Sequence, residues 1–277
     1  MTTKQPSMES LKQFIRRSGT SYLRHPSVTS IGIGYKIKGG KKKRDLCVQF
    51  TVGKKAVPQA LEAIGVPKLP EAIRIGGRMV PTDVIERNYD HHFKLIKNLA
   101  HAQSLDERKS VVDPIRPGVS INNIVGTAGT AGCVVYDAAT GAPYLLSNWH
   151  VLNGHSGKVG DPIVQPGPYD DDRVQRNVVG KLVRSYVGIA GDGAIASIDG
   201  RRLETKIYKL DVAVNQIGEP ELNDVVVKSG RTTEVTYGKV NRVHVITSID
   251  YDGIGSRDIG CFEIGPDENR PARNHQI

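Results

Sequence analysis

The sequence contains few cysteines, and they are isolated from one another. Cys47, Cys133 and Cys261 are an odd number of thiols, with no CxxC pair and no His/Cys cluster at metal-ligand spacing. This pattern excludes a disulfide framework and the usual kind of structural zinc site. We therefore expect three reduced thiols, no bound metal and no cofactor.

Long apolar runs are missing as well. No stretch approaches the roughly 20 consecutive apolar residues that a membrane helix needs. The segment MTTKQPSMESLKQFIRR at the N-terminus lacks the apolar core of a secretory signal. We expect a soluble globular protein with no membrane span, and cytoplasmic residence is the default expectation. At 277 residues the chain is long enough for two modules with separate cores.

Acidic residues are scarce in the first part of the chain. Residues 1–118 hold 22 Lys and Arg against 10 Asp and Glu, a net charge of +12, whereas residues 119–277 hold 16 against 19, a net charge of −3. This asymmetry indicates two modules with different partners. A basic module suits an acidic protein surface, nucleic acid or anionic lipid. Nucleic acid is the less favoured partner because no recognisable nucleic-acid-binding motif is present.

The first module reads as a small basic α+β domain over residues 1–90. Apolar residues at helical spacing predict an amphipathic helix over 9–24, with Ser10 as its cap. The runs VTSIGIGYKIK and DLCVQFTV flank a Gly-Gly turn and predict a hairpin, and IRI and MVPTDVIE predict further strands. A possible acidic partner is expected at the hairpin tip, which carries Lys41, Lys42, Lys43 and Arg44.

A weakly patterned, polar segment over residues 91–118 is predicted to be a linker. Its histidines, His91, His92 and His101, have no carboxylate or thiol at matching spacing, which favours a solvated connector over a metal site. From residue 119 the chain changes to short β runs separated by glycine, a texture typical of a barrel or sandwich.

The run YLLSNWHVLNG places His150 at the end of an apolar segment. In acyl transfer a histidine takes the proton of the nucleophile, and a buried carboxylate behind it fixes its tautomer. Asp192 precedes an alternating apolar strand in GDGAIASID, and Asp211 precedes a similar run in KLDVAVN. Either aspartate could supply that carboxylate.

Four segments, in the order GCVVYDAATGAPYLLSNWHVLNG, GDPIVQPGPYDDD, GDGAIASID and KSGRTTEVTYGKV, resemble the chymotrypsin-like (trypsin-like, S1) serine peptidases of the intracellular bacterial and plant type. The resemblance covers roughly residues 115–265. It implies a mainly β chymotrypsin-like double β-barrel, with the first barrel over 119–200 and a partial second barrel over 201–277. It also implies a protein or peptide substrate.

The family order of catalytic residues is His, Asp, Ser. The resemblance assigns His150 as the general base and Asp192 as the orienting carboxylate, with Asp211 as the alternative. Asp192 is favoured because GDGAIA is closer to the family's pattern before its second strand. Trp149 is predicted to be a barrel-core or cleft-wall residue.

The nucleophile should stand in GDSGG or GDSGS, yet IGCFEIGPDENRPARNHQI contains no such motif. That motif also supplies the backbone donors of the oxyanion hole. Ser229 in KSGRTT and Cys261 in GCF are weak substitutes: the resemblance places Ser229 away from the cleft, and Phe262 follows Cys261 where a small residue is needed. We therefore expect a chain truncated before GDSG.

Such a chain is either an inactive fragment of a peptidase or a pseudo-peptidase that binds a partner peptide. A second barrel without its closing strands should expose apolar side chains such as those of the VVV run at 225–227. The acidic run Asp170-Asp171-Asp172 is interpreted as a solvated turn, because nothing beyond the run supplies further oxygen ligands for calcium.

Overall fold

The protein is mainly β. The computed structural model describes residues 6–56, 59, 62, 65–89, 107–251, 253–267 and 270. Its two α-helices are α1 (Met8–Tyr22) and α2 (Trp149–Leu152), counted over those residues. The strands of the same residues are β1 (Val28–Lys38), β2 (Lys41–Val52), β3 (Ala72–Ile75), β4 (Arg78–Glu86), β5 (Ser120–Asn123), β6 (Gly129–Thr130), β7 (Cys133–Tyr136), β8 (Pro143–Ser147), β9 (Pro162–Val164), β10 (Val178–Gly188), β11 (Gly191–Ala196), β12 (Val225–Gly230), β13 (Glu234–Tyr251) and β14 (Gly255–Pro266).

The predicted amphipathic helix is present as α1, although its cap differs from the prediction. Ser7, not Ser10, is the N-cap, and its side chain accepts a hydrogen bond from the Ser10 backbone N–H at 3.2 Å. Ser7 has the extended backbone that a cap requires, whereas Ser10 already lies inside the helix. Leu11 and Ile15 are buried against the neighbouring sheet.

The predicted hairpin is formed by β1 and β2. Gly39 and Gly40 turn between them with φ of 59° and 72°, a left-handed conformation that a side chain disfavours and that a tight hairpin turn needs. The strand predictions for IRI and MVPTDVIE are confirmed as β3 and β4. Helix α1 and strands β1 and β2 share one hydrophobic core, in which Leu11 and Ile15 of the helix cluster with Ile31, Ile33 and Phe50 of the strands.

Residues 120–196 form a seven-stranded sheet in the order β6-β5-β9-β10-β11-β8-β7. All of its strand pairs are antiparallel, so we call it the antiparallel sheet. Its two end strands, β6 and β7, are consecutive in the chain, so the sheet curls back on itself. A core of buried aliphatic side chains fills its interior, including Ile121, Leu145, Leu152, Ile163 and Leu182.

The second sheet, called the mixed sheet because β2 and β4 run parallel, has the order β12-β13-β1-β2-β4-β3, with β14 also paired to β13. The strands of residues 225–266 thus share a sheet with those of residues 28–86, and β1 is hydrogen-bonded to both β2 and β13. The sequence placed these two groups in separate modules, the second as a partial barrel over 201–277. The domain bounds themselves stay a prediction.

The hairpin of β13 and β14 reaches from the mixed sheet to the antiparallel sheet. Near its tip, Tyr251 and Ile259 are buried with Trp149 in a small third core. The turn also lies against His155, because a Cβ placed on Gly253 would come within 2.8 Å of the His155 side chain. This junction positions the candidate site.

One predicted strand did not form. DVAVNQIG has only an isolated bridge between Lys206 and Ala213, and Val212 and Val214 remain 61% and 45% exposed. Alternation alone does not make a strand where no neighbouring strand is available to pair with it. His91, His92, His101 and most of the predicted linker lie outside the described residues. Among the described helices, none combines the length and the apolar character needed to cross a bilayer.

Candidate catalytic dyad between the two sheets

His150 is held by a strand-to-helix transition. Strand β8 ends at Ser147, Asn148 caps α2 with an extended backbone, and His150 lies in the first turn of that helix. The Asn148 side chain does not cap the helix; instead its Nδ2 donates to the backbone oxygen of Asp192 at 3.1 Å. The segment that carries His150 is therefore tied to strand β11.

Asp192 lies opposite His150 at the start of β11. The His150 Nδ1 atom is 2.6 Å from Asp192 Oδ2, and the side chains are 26% and 11% exposed. The second carboxylate oxygen, Oδ1, accepts the backbone N–H of Trp149 at 2.5 Å. The contact predicted between these two residues is present, while their catalytic roles stay a prediction.

A third donor reaches the carboxylate from the hairpin. The Tyr251 hydroxyl donates to Asp192 Oδ2 at 3.0 Å, and Tyr251 itself is only 3% exposed. Its ring meets Trp149 edge to face, with centroids 5.8 Å apart and planes at 82°. Trp149 is therefore a core residue beside the site, as the sequence predicted.

The three hydrogen bonds keep the Asp192 carboxylate ionised. Burial raises the pKa of this carboxyl, but the hydrogen bond and charge of His150, together with the hydrogen bonds from Tyr251 and the Trp149 N–H, lower it by more, so the pKa of Asp192 lies below its ordinary value. Burial, with the nearby charge of Asp192, raises the pKa of Tyr251, so its hydroxyl remains a donor. A buried, negatively charged acceptor thus faces the imidazole.

Asp211, the alternative carboxylate, lies elsewhere. It has a left-handed backbone with φ of 56°, its side chain is 81% exposed, and its ion-pair partner is Lys206 at 3.7 Å. Because the run that follows it is not a strand, no sheet carries this aspartate toward His150. Geometry selects Asp192 as the partner of the imidazole.

Ser229 belongs to a different polar network. Its hydroxyl donates to the backbone oxygen of Tyr208 at 2.7 Å and accepts from Arg108 Nη1 at 2.7 Å. The serine is therefore bound into the packing of β12 against the loop at Gly118, where a Cβ would lie 2.9 Å from Ser229 Oγ.

Cys261 lies on β14 opposite Val245 and borders a cavity of about 400 Å³. The residue is exposed, yet the neighbouring protein atoms partly desolvate its thiol and raise the pKa, which favours the neutral, weakly nucleophilic form. Neither Ser229 nor Cys261 is activated as a nucleophile by the contacts described for it.

Two of the segments quoted for the family resemblance are joined by a buried ion pair. Asp170 from GPYDDD accepts Arg231 Nε of KSGRTT at 2.9 Å and is also bonded to Arg231 Nη2, and both side chains are about 5% exposed or less. Asp170 further accepts from Ser120 Oγ at 2.5 Å. The solvated-turn prediction is wrong for Asp170, because this carboxylate pairs with an arginine in the turn between β12 and β13.

The predicted basic tip is exposed. Lys41, Lys42, Lys43 and Arg44 open β2 directly after the Gly-Gly turn, and all four are exposed. Lys42 is held in place, because its Nζ donates to Asn223 Oδ1 at 2.7 Å and lies 5.0 Å from the Tyr35 ring centroid. We name these four residues the basic tip.

Sequence reasoning missed Tyr251 and the Asp170–Arg231 pair. Nothing local marks Tyr251 as a partner of Asp192, since 59 residues separate them and the contact arises only when the hairpin docks. Asp170 and Arg231 lie in two of the segments quoted for the family resemblance, and their opposite charges were the signal that could have predicted an ion pair between them.

Several solved proteases are similar to this chain. No family model matches the chain, and no curated protein does. Thermobifida fusca Protease A is similar at 18% sequence identity, with a TM-score of 0.40 over 54% of this chain and 69% of that chain. Nocardiopsis Protease (NAPase) is similar at 17% identity, with a TM-score of 0.40 over 57% and 76%. Cellulomonas bogoriensis chymotrypsin is similar at 15% identity, with a TM-score of 0.37 over 57% and 75%.

Proposed function

We propose that this chain carries the general base and the orienting carboxylate of a serine peptidase that hydrolyses peptide bonds. The single observation that carries the proposal is the 2.6 Å contact between His150 Nδ1 and a buried, hydrogen-bonded Asp192. The mechanism also needs a serine nucleophile with backbone oxyanion donors, which the resembled family carries in a GDSG motif, and residues 1–277 contain no such motif.

The chemistry follows from the tautomer. With the proton on Nδ1 directed at Asp192 Oδ2, the lone pair of His150 lies on Nε2, which takes the proton of the serine hydroxyl as it attacks the peptide carbonyl. The imidazolium that forms is stabilised by the Asp192 carboxylate. It then returns the proton to the leaving amine, and an acyl-enzyme remains for water to hydrolyse.

The test compares two versions of the chain. The 277-residue chain is expected to hydrolyse neither peptides nor esters and to show no defined site of labelling by a serine-directed fluorophosphonate. A version continued with a GDSG segment and its following strands should gain both properties. Its activity should fall by at least about 10⁴-fold in His150→Ala, because the serine loses its base.

Labelling and hydrolysis are measured on the same preparations, with circular dichroism as the control for folding. His150-dependent hydrolysis by the 277-residue chain itself would contradict the proposal and point to Cys261 or Ser229 as the nucleophile.

A second function, a pseudo-peptidase that binds a partner, is favoured by one observation. Val225 and Val227 of β12 are 55% and 45% exposed, and Tyr237, which pairs with Val227 across the strands, is 38% exposed. Exposed apolar side chains on one sheet face are typical of an interaction surface. A correctly folded, extended chain that remains inactive would support this function over hydrolysis.

We also propose that the basic tip binds an acidic protein surface. Changing its four residues to serine should weaken binding of a polyglutamate probe and flatten the dependence of binding on salt, because exposed charge pairs are screened by ions. Fluorescence anisotropy over a salt series measures both. A matched control removes four exposed charges outside the tip, those of Lys158, Lys181, Arg184 and Arg257. Equal losses in the two variants would mean that net charge alone attracts the probe.

A further inference from the structure

The hairpin of β13 and β14 brings one polar atom to the His150–Asp192 pair. Tyr251 lies at the last position of β13, opposite Gly255, where the hairpin turns. Its hydroxyl donates to Asp192 Oδ2, which is the same oxygen that His150 Nδ1 contacts. A donor on that oxygen restrains the orientation of the carboxylate, and therefore the position in which it holds the imidazole.

The ring of Tyr251 has little freedom to move. It is buried against Trp149 and Ile259, and Trp149 is itself linked to the carboxylate through its backbone N–H. The hydroxyl is thus aimed at Asp192 by packing on one side and by the hairpin turn on the other. Such a rigid outer contact is what a preorganised site requires.

We infer that Tyr251 is a positioning residue for the His150–Asp192 dyad, holding the carboxylate in the orientation that directs the imidazole. Its catalytic meaning rests on the proposed function, but the positioning itself does not. The tyrosine comes from the mixed sheet, whereas the dyad belongs to the antiparallel sheet, so the mixed sheet reaches the Asp192 carboxylate through this hydroxyl.

Tyr251→Phe keeps the ring and removes only the oxygen. We expect the pKa of the Asp192 carboxyl to rise in this variant, because burial still opposes ionisation while one of the three hydrogen bonds is lost. The measurement is a ¹³C NMR titration of aspartate carboxyls in the full chain, with Asp192 assigned by its loss in Asp192→Asn. Among the described residues, the titratable groups that contact this carboxyl are His150 from α2 and Tyr251 from the hairpin, and Cys261 on β14 acts on Tyr251.

Ile259→Val is the matched control, since it trims the same aromatic cluster and leaves the hydroxyl in place. An upward shift in Tyr251→Phe that is absent from Ile259→Val supports the inference. An unchanged Asp192 pKa in a folded Tyr251→Phe protein overturns it, as does an equal shift in Ile259→Val, which would assign the effect to packing.

A second readout uses pH-dependent stability. The lowered pKa of Asp192 stabilises the fold above the pKa of about 3.9 of an unfolded aspartate, and this contribution is lost as pH falls through the folded value. The difference in melting temperature between the wild type and Tyr251→Phe should therefore shrink at low pH, whereas the Ile259→Val difference should not. A pH-independent difference for both variants overturns the inference. Neither readout depends on peptide hydrolysis. A failure of the proposed function can therefore be distinguished from a failure of the positioning role.

Discussion

Arg231→Ala is expected to lower the free energy of unfolding by about 3–5 kcal/mol, because it leaves the buried Asp170 carboxylate without its ion-pair partner. Asp170 would retain only the hydroxyl of Ser120 among its described side-chain donors. Removing both charges at once should cost much less, because the expensive state is one uncompensated buried charge rather than the absence of the pair. Urea unfolding followed by circular dichroism gives the free energy of unfolding of the wild type, of Arg231→Ala and of the variant that lacks both charges.

The double variant Arg231→Met with Asp170→Leu therefore serves as the internal control. Arg202→Ala is the exposed control, since Arg202 pairs with Asp113 at the surface with its side chain 75% exposed, and we expect its unfolding midpoint to stay near that of the wild type. If Arg231→Ala were no more harmful than Arg202→Ala, the ion pair would not hold the two sheets together.

Asp192→Asn in the GDSG-extended chain is expected to lower kcat by about 10⁴-fold with a smaller effect on KM. An amide in place of the carboxylate can donate to Nδ1, which favours the wrong imidazole tautomer and removes the charge that stabilises the imidazolium. Steady-state kinetics on a peptide substrate measures the change.

The matched control is Asp211→Asn, the same substitution at the aspartate that the sequence offered as the alternative. Asp211 is exposed and pairs with Lys206, so we expect unchanged kinetics. A large loss in Asp211→Asn with little effect in Asp192→Asn would reverse the assignment made from the geometry.

The sequence predicted features formed by segments close together in the chain better than features formed when distant segments pack against each other. The β1–β2 hairpin follows from a Gly-Gly turn between alternating runs, and the structure has it. The pairing of His150 with Asp192 follows from two motifs on strands of one sheet, since β8 and β11 are hydrogen-bonded neighbours. The sequence already favoured Asp192 over Asp211, and the structure adds the reason that Asp211 is excluded: the alternating run after it finds no partner strand.

Contacts between distant segments were not predictable from local patterns. That β13 would pair with β1, rather than close a separate barrel, depends on which apolar faces meet after more than 200 intervening residues. The contact of Tyr251 with Asp192 is a consequence of that docking. In both cases the residue types are common ones, and only their contact in the folded structure shows that they interact.

The pairing of β1 with β13 bears on how the chain folds as it is synthesised. Ser30 of β1 pairs with Thr247 of β13, more than 200 residues later in the chain. Helix α1 and strands β1 and β2 therefore leave the ribosome long before β13 has been synthesised. Until then β1 keeps one hydrogen-bonding edge open, and contacts of such long sequence separation form slowly. The β1 edge is thus the segment that a chaperone would need to protect during translation, and the antiparallel sheet, complete by residue 196, can fold before the mixed sheet closes.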